Sequence, residues 1–217
     1  MIIRLKSLIL ESVFRLSRFG QRHGWERVTY HPGVFAFFHW TARQQAPGVV
    51  GSLLEAFPHA HSFVDVGAGT GVYAAGLKRA GRHVVACERS GVGRLIARWQ
   101  GVPAVRFDLN DPQPAIRERV DVAYSFEVAE HLRPALGSRL VQMMSELAPT
   151  VVFSAAQPGQ GGQGHVNEQP PSYWAQQFTR EGFDLDAGLT GELASRMAAA
   201  GTVLWITPNV QVFTRRA

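Results

Sequence analysis

Cysteine is almost absent from this sequence: Cys87 is the only one in 217 residues. A single thiol excludes an internal disulfide framework and a multi-cysteine zinc site. No apolar run reaches the length of a membrane-spanning helix. The opening segment, MIIRLKSLILESVFRLSRFGQR, lacks the form of a cleavable signal peptide. Lys6, Glu11 and Arg15 interrupt its apolar residues, and no small-residue cleavage site follows. These absences together lead us to expect a cytoplasmic protein without stable membrane insertion. A clustered basic stripe is missing too. The formal net charge is +5 and the pI about 10, which alone would suit nucleic acid, acidic lipid or an anionic substrate. Because no Lys/Arg run stands out, the charge reads as composition spread over the surface, and we expect no nucleic-acid partner.

What the chain does have is a substantial apolar content, 46% hydrophobic against 18% charged, enough for one globular domain with a real core. The hydrophobic pattern changes near Pro58, dividing the chain into a cap segment, residues 1–58, and a main unit, residues 59–217. In the cap, Leu5, Leu8, Ile9, Val13, Leu16 and Phe19 recur at helical spacing among basic residues. Such a helix can pack on its own domain, form a homodimer interface, or lie on a membrane surface. An aromatic segment, YHPGVFAFFHW, and a short helix over VVGSLLEAF follow. From residue 62 onward, short apolar strands alternate with helices: strands in SFVDVG, HVVACE, AVRFDL, VDVAYSF and TVVFSAA, and helices in VYAAGLKRAG, GRLIARWQG, ALGSRLVQMMSEL and SYWAQQFTREG. The last stretch, GTVLWITPNVQVFTRR, reads as one long strand or two short ones. This alternation indicates an α/β fold, a mostly parallel sheet covered on both faces.

Three features carry chemistry. VDVGAGTGV places Gly67, Gly69 and Gly71 at a strand-to-helix turn, where the backbone turns sharply and a ligand can approach without a Cβ in the way. The spacing is G-x-G-x-G, with Val72 where a dinucleotide fingerprint would carry its last glycine. The second strand ends at Glu88, a carboxylate able to accept from both hydroxyls of a ribose. The third ends at Asp108, placed to meet an adenine amino group with Leu109 or Phe107 against the ring.

With these residues the chain resembles the class I S-adenosylmethionine (SAM)-dependent methyltransferases over residues 62–185. The resemblance implies a Rossmann-like, seven-stranded, mostly parallel sheet with helices on both faces and an N-terminal helical cap. It also implies SAM as cofactor and S-adenosylhomocysteine (SAH) as product. Carried over residue by residue, Asp65, Gly67, Ala68, Gly69 and Gly71 line the methionine and ribose side. Glu88 takes the ribose hydroxyls, Asp108 and Leu109 the adenine, and Ser125, Phe126 and Glu127 of YSFEVAEHL lie beside the methionine. Cys87 reads as a small buried strand residue rather than a nucleophile. His131 reads as structural support or a substrate contact.

The third feature is GQGGQGHVNEQPPSYW, Gly159–Trp174, which leaves the fifth strand at the end where open α/β sheets bind ligands. Gly159, Gly161, Gly162 and Gly164 permit a close-fitting loop or lid. Pro170 and Pro171 stiffen its exit, and Ser172 is placed to cap the next helix. A similar GHVNEQP segment occurs in a branch of small-molecule methyltransferases, many of them acting in glycan or natural-product biosynthesis. A sugar hydroxyl is a poor nucleophile that sheds a proton as it attacks, so a neutral His is wanted nearby. We therefore expect His165 as base or substrate orienter, Glu168 as its polariser, a partner of a sugar hydroxyl or a metal ligand, and His39 as the reserve base. His31, Trp40, His131, Asn167 and Tyr173 are expected toward the acceptor. The plain alternative for His165, Asn167 and Glu168 is that they hold the loop's shape. Magnesium among Glu127, Glu130, His165 and Glu168 is chemically reasonable, but the spacing does not require it and no metal is expected.

The reading that results is an O-methyltransferase acting on a small-molecule or oligosaccharide acceptor, most of all a sugar. Its rivals are methylation of a phenol, quinone precursor, amine or membrane lipid, and a non-catalytic cofactor-binding protein.

Overall fold

A computed structural model describes residues 2–23, 25–111, 116, 118–202 and 205–216, without the side chains of 2–10, 21, 26 and 27. The chain opens with three helices, α1 (Ile2–Arg22), α2 (Glu26–Thr29) and α3 (Pro32–Ala56). Strands and helices then alternate: β1 (Ser62–Val66), α4 (Val72–Arg79), β2 (His83–Glu88), α5 (Gly91–Trp99), β3 (Ala104–Arg106), β4 (Val122–Phe126), α6 (Pro134–Leu147), β5 (Thr150–Ser154), α7 (Pro171–Arg180), β6 (Phe183–Leu185), α8 (Ala187–Ala199) and β7 (Gln211–Arg215). The seven strands form one sheet in the order β3-β2-β1-β4-β5-β7-β6. Only β7 runs against its neighbours β5 and β6. The chain reverses its direction of travel across the sheet between β1 and β4, and that switch point is where such sheets form a ligand crevice.

The period of two in the strands explains the two-sided core. Phe63, Val152 and Val212 face one layer with Leu53, Leu77, Leu193 and Met197. Their neighbours Val64, Phe153 and Phe213 face the other layer with Leu140, Met144, Trp174 and Phe178. The Phe178 and Phe213 rings stack at 4.1 Å there. Cys87 is buried in this second layer, and burial pushes its thiol up to about 12, consistent with a packing role.

Several expectations need correction. The aromatic segment and the short helix after it are one 25-residue helix, α3, which runs straight through Pro47. Pro32 is its N1 residue, where the missing N–H costs nothing. Among the described residues of the stretch 201–216 there is one strand, Gln211–Arg215, preceded by turns at 205–209; residues 203 and 204 of the expected strand lie outside the described residues. The short strand β6 and the helix α8 fall where no element was expected. β3 stops at Arg106, so Asp108 stands in the turn after it. Ser172 does not cap α7. That helix begins with Pro171 at N1 after Pro170, and no side chain caps it.

The cap helices are tied to one another through specific contacts. His31 caps α3: its Nδ1 accepts from Gly33 N at 3.1 Å, which leaves Nε2–H to donate to Val13 O at 3.1 Å. Phe14 packs edge-on against Phe37. Leu5, Leu8 and Ile9 of the expected apolar face have side chains outside the described residues, while Leu16 and Phe19 are about half exposed. No helix among the described residues is long and apolar enough to cross a membrane.

Candidate active site

The glycine turn leaves β1 and enters α4 with Gly67, Gly69 and Gly71 all at positive φ, +76°, +54° and +69°. That region is open to glycine and strained for other residues. The three are bare for different reasons. A Cβ on Gly67 would lie 2.5 Å from Val128 Cγ2, and one on Gly71 would lie 2.7 Å from Ala97 Cβ, but one on Gly69 would meet nothing within 4 Å. The protein's own packing excludes side chains at Gly67 and Gly71, whereas Gly69 borders open space that a ligand can use.

Glu88, at the end of β2, reaches this loop. It accepts from Gly69 N at 2.8 Å and Ser90 N at 2.6 Å. Burial raises its carboxyl above the ordinary range, opposed by those two N–H groups. Asp65 is buried at the end of β1, with Oδ2 lacking a hydrogen-bond partner, and burial pushes it up to about 7. Asp108 is held differently. It accepts from Asn110 N at 3.1 Å and pairs with Arg106 at 3.1 Å and Arg89 at 3.3 Å. Although burial opposes it, these partners hold its carboxyl below the ordinary value. Leu109 is buried beside it.

The end of β4 continues into a single 3₁₀ turn, Ala129–His131. Ser125 is fully buried and Phe126 meets the Tyr73 ring edge-on. Glu127 has φ +55°, the only positive φ among described non-glycine residues, a strained geometry of the kind that accumulates at functional sites. Its carboxyl accepts from Ser154 Oγ at 2.9 Å, Gln160 Nε2 at 3.1 Å and Asn209 Nδ2 at 3.4 Å. Glu130 is fully buried and neither carboxyl oxygen has a hydrogen-bond partner. Burial, with the nearby Glu127 adding to it, raises Glu130 to about 9.

The glycine-rich loop after β5 folds onto this turn. Val166 N and Asn167 N both donate to Glu130 O, at 2.8 and 3.0 Å. Glu168 gathers the loop by accepting from Gly159 N at 2.9 Å, Gly161 N at 2.8 Å and His165 Nδ1 at 2.8 Å. Those donors, His165 first, hold its carboxyl below the ordinary value. Because an ionised carboxylate only accepts, His165 Nδ1 is the donor in this bond, and Nε2 is the ring nitrogen left for another partner. The glycines have local reasons here too. Gly164, at φ +84°, packs on His131, and a Cβ on Gly162 would sit 2.2 Å from His165 Nε2. His165 and His131 meet edge to face at 4.9 Å, and burial, with His165 adding to it, lowers His131 to about 4, leaving it neutral.

The remaining expected residues divide. Asn167 is buried in loop-shaping bonds, donating to Ala129 O at 3.5 Å and accepting from Gln169 at 3.0 Å. His39 stands by the glycine turn, 3.2 Å from Thr70 Oγ1, at the edge of a groove of about 720 Å³ between α3 and α4. Burial and the neighbouring Arg43 lower its pKa. Trp40 is 61% exposed. Tyr173 packs edge-on against Trp174 in the core layer. His31 has both ring nitrogens occupied as a helix cap. Sequence reasoning did not place His131 beside His165. The adjacency of Glu130 and His131 was visible, but their meeting with His165 depends on the loop's folded path.

The two halves of the site adjoin, because Gly67 of the glycine turn packs on Val128, just before the Glu130 turn. The sequence matches the family described as a methyltransferase domain over residues 37–187. No curated protein matches it significantly. Among solved structures, it is similar to KedS8 from Streptoalloteichus sp ATCC 53650, described as a sugar N-methyltransferase. They share 16% identity over 80% of this chain and 87% of the other, with a TM-score of 0.61. It is similar to magnesium protoporphyrin IX methyltransferase from Synechocystis PCC 6803 with bound SAH at 15% identity, covering 81% and 84% of the two chains, TM-score 0.61. An O-methyltransferase family protein from Burkholderia thailandensis matches at 12% identity, covering 94% and 72%, TM-score 0.64. At these identities the likeness establishes the fold.

Proposed function

Because the chain belongs to the methyltransferase-domain family, we propose that it uses SAM to methylate a hydroxyl of a small or oligomeric acceptor, a sugar before others. The observation that carries this reading is the meeting of two half-sites: a glycine turn open at Gly69, and a histidine held at Nδ1 by Glu168 on the loop folded over the adjoining Glu130 turn.

The residues fit the cofactor on two counts. Gly69 leaves space for a ligand on the turn, and Asp65 buries an unpartnered carboxyl oxygen two residues before Gly67. Asp65, Gly67, Ala68, Gly69 and Gly71 would hold the methionine and ribose side, Glu88 the ribose hydroxyls, Asp108 and Leu109 the adenine, and Ser125, Phe126 and Glu127 the side nearest the methyl. When bound, the cofactor supplies a methyl carbon on a positively charged sulfur. The chain's own work is orientation, exclusion of water and handling of one proton. His165 presents Nε2, the nitrogen not engaged by Glu168, to orient the acceptor hydroxyl or take its proton. Glu168 fixes the tautomer and ties the ring to the loop. His39 stands on the cofactor side as the second histidine.

The test is transfer of labelled methyl from SAM into extract of the source cells, separated into glycan, lipid, nucleic-acid, protein and small-metabolite pools, with Gly69→Arg as blank. The expected label is in glycan. Label confined to amine-bearing metabolites would replace the hydroxyl reading. No label above the blank, together with no SAM binding by calorimetry, would overturn the enzyme assignment.

A further inference from the structure

Glu130 poses a problem that methyl transfer does not answer. Its side chain is fully buried, and both carboxyl oxygens lack hydrogen-bond partners. Burying such a group unsatisfied destabilises the fold, more so when it is charged. The Nε2 atoms of His131 and His165 each lie 4.0 Å from Oε1. That is too long for a hydrogen bond. The three side chains each offer a ligand atom, and those atoms lie within 4.8 Å of one another. With Nδ1 committed to Glu168 at 2.8 Å, Nε2 is the nitrogen His165 offers to a metal ion. A carboxylate holding the far nitrogen of a histidine is the usual support behind a metal-binding imidazole.

We propose that Glu130, His131 and His165 bind one divalent first-row transition-metal ion, with Glu168 as the positioning residue behind His165. Two imidazoles and one carboxylate on one side of an ion form the set that suits such metals and leaves further positions open. Magnesium, which favours an all-oxygen shell, fits poorly. Metal–ligand bonds of about 2.1 Å place neighbouring ligand atoms roughly 3.0–3.5 Å apart, so binding draws the three atoms inward by about an ångström. Glu127 and Glu168, the other acids considered for a cation, are engaged: Glu127 by Ser154, Gln160 and Asn209, Glu168 by its loop and His165. The proposal concerns ion binding and does not rest on methyl transfer. If both hold, His165 carries the ion, and its role in the reaction is orientation, not proton removal.

The experiment starts from full-length protein stripped with a chelator and dialysed. Co²⁺ is titrated while visible absorption is followed, and Zn²⁺, Mn²⁺ and Mg²⁺ are compared by calorimetry. One equivalent of Co²⁺ should bind with d–d bands, and Mg²⁺ should bind at least tenfold more weakly. Glu130→Gln and His165→Asn should each weaken Co²⁺ at least tenfold. Glu168→Gln, which removes no ligand, should weaken it by about 10–100-fold. His59→Ala, outside the cluster, should leave it unchanged. Melting temperature and SAM affinity of each variant separate loss of a ligand from loss of the fold, and Glu168→Gln keeps the test valid if Glu130→Gln does not fold. No saturable Co²⁺ binding, equal Mg²⁺ affinity, or an equivalent that survives the Glu130→Gln/His165→Asn double substitution would overturn the site. Absent SAM binding with Co²⁺ binding intact would instead count against the methyltransferase reading alone.

Discussion

Asp65→Asn tests the electrostatics of the β1 end directly. The two side chains are nearly isosteric, so the substitution removes a titrating proton with little change in volume. Burial raises the native carboxyl from 3.8 to about 7. A raised acid is protonated in the folded state while its unfolded counterpart has already ionised. Stability is therefore greatest below the unfolded value of 3.8 and is lost as pH rises toward about 7. Each pH unit in that window is worth about 1.4 kcal/mol. Integrated from roughly pH 5 to pH 8, the wild type should lose about 2.5 kcal/mol relative to Asp65→Asn. Acids remote from Asp65 titrate alike in both proteins, so the difference reports Asp65 together with its coupling to Glu88. Urea denaturation at closely spaced pH values, analysed with a common m-value, measures it. A stability difference that does not change with pH would mean that Asp65 is ionised throughout, and the burial argument would fail.

Three further substitutions have expected outcomes. Gly71→Ala should destabilise the fold by about 1–3 kcal/mol, because it combines φ +69° with a Cβ 2.7 Å from Ala97; Gly69→Ala should cost less stability and more SAM affinity, and chemical denaturation with ligand calorimetry separates them. Glu168→Gln should lower turnover by roughly 10–100-fold through a misoriented His165, with KM for SAM little changed; an unaltered kcat would reduce Glu168 to a loop anchor.

Legibility followed the range of the interactions. The strand-to-helix glycine turn, the exact span of β2 from His83 to Glu88 and the alternation of elements were visible because they depend on near neighbours. The split of this stretch into an aromatic segment and a short helix failed because α3 continues through Pro47, held by α4 and by the region of α8: a Cβ on the adjacent Gly48 would lie 2.5 Å from Oγ1 of Thr202, just after α8. β6 has only three residues, and α8, rich in Ala and Gly, shows little contrast between its faces. At the site, the pairing of His165 with Glu168 lay within one loop and could be anticipated. The contact of His131 with His165 could not, since two separate segments must meet. Asp108 was expected beside the adenine; its bonds to Arg89, Arg106 and Asn110 were not foreseen, because only the folded turn brings those partners together.

The bonds from Val166 N and Asn167 N to Glu130 O have an implication for how this site can change. The loop is fastened to the main chain of Glu130, not to its side chain. Any residue that keeps the local backbone at position 130 keeps the fastening, so the functional group there can be exchanged while the frame stays in place. Scaffold and reactivity are inherited separately at a single residue, and a series of side chains at 130 would vary the chemistry of one otherwise constant pocket.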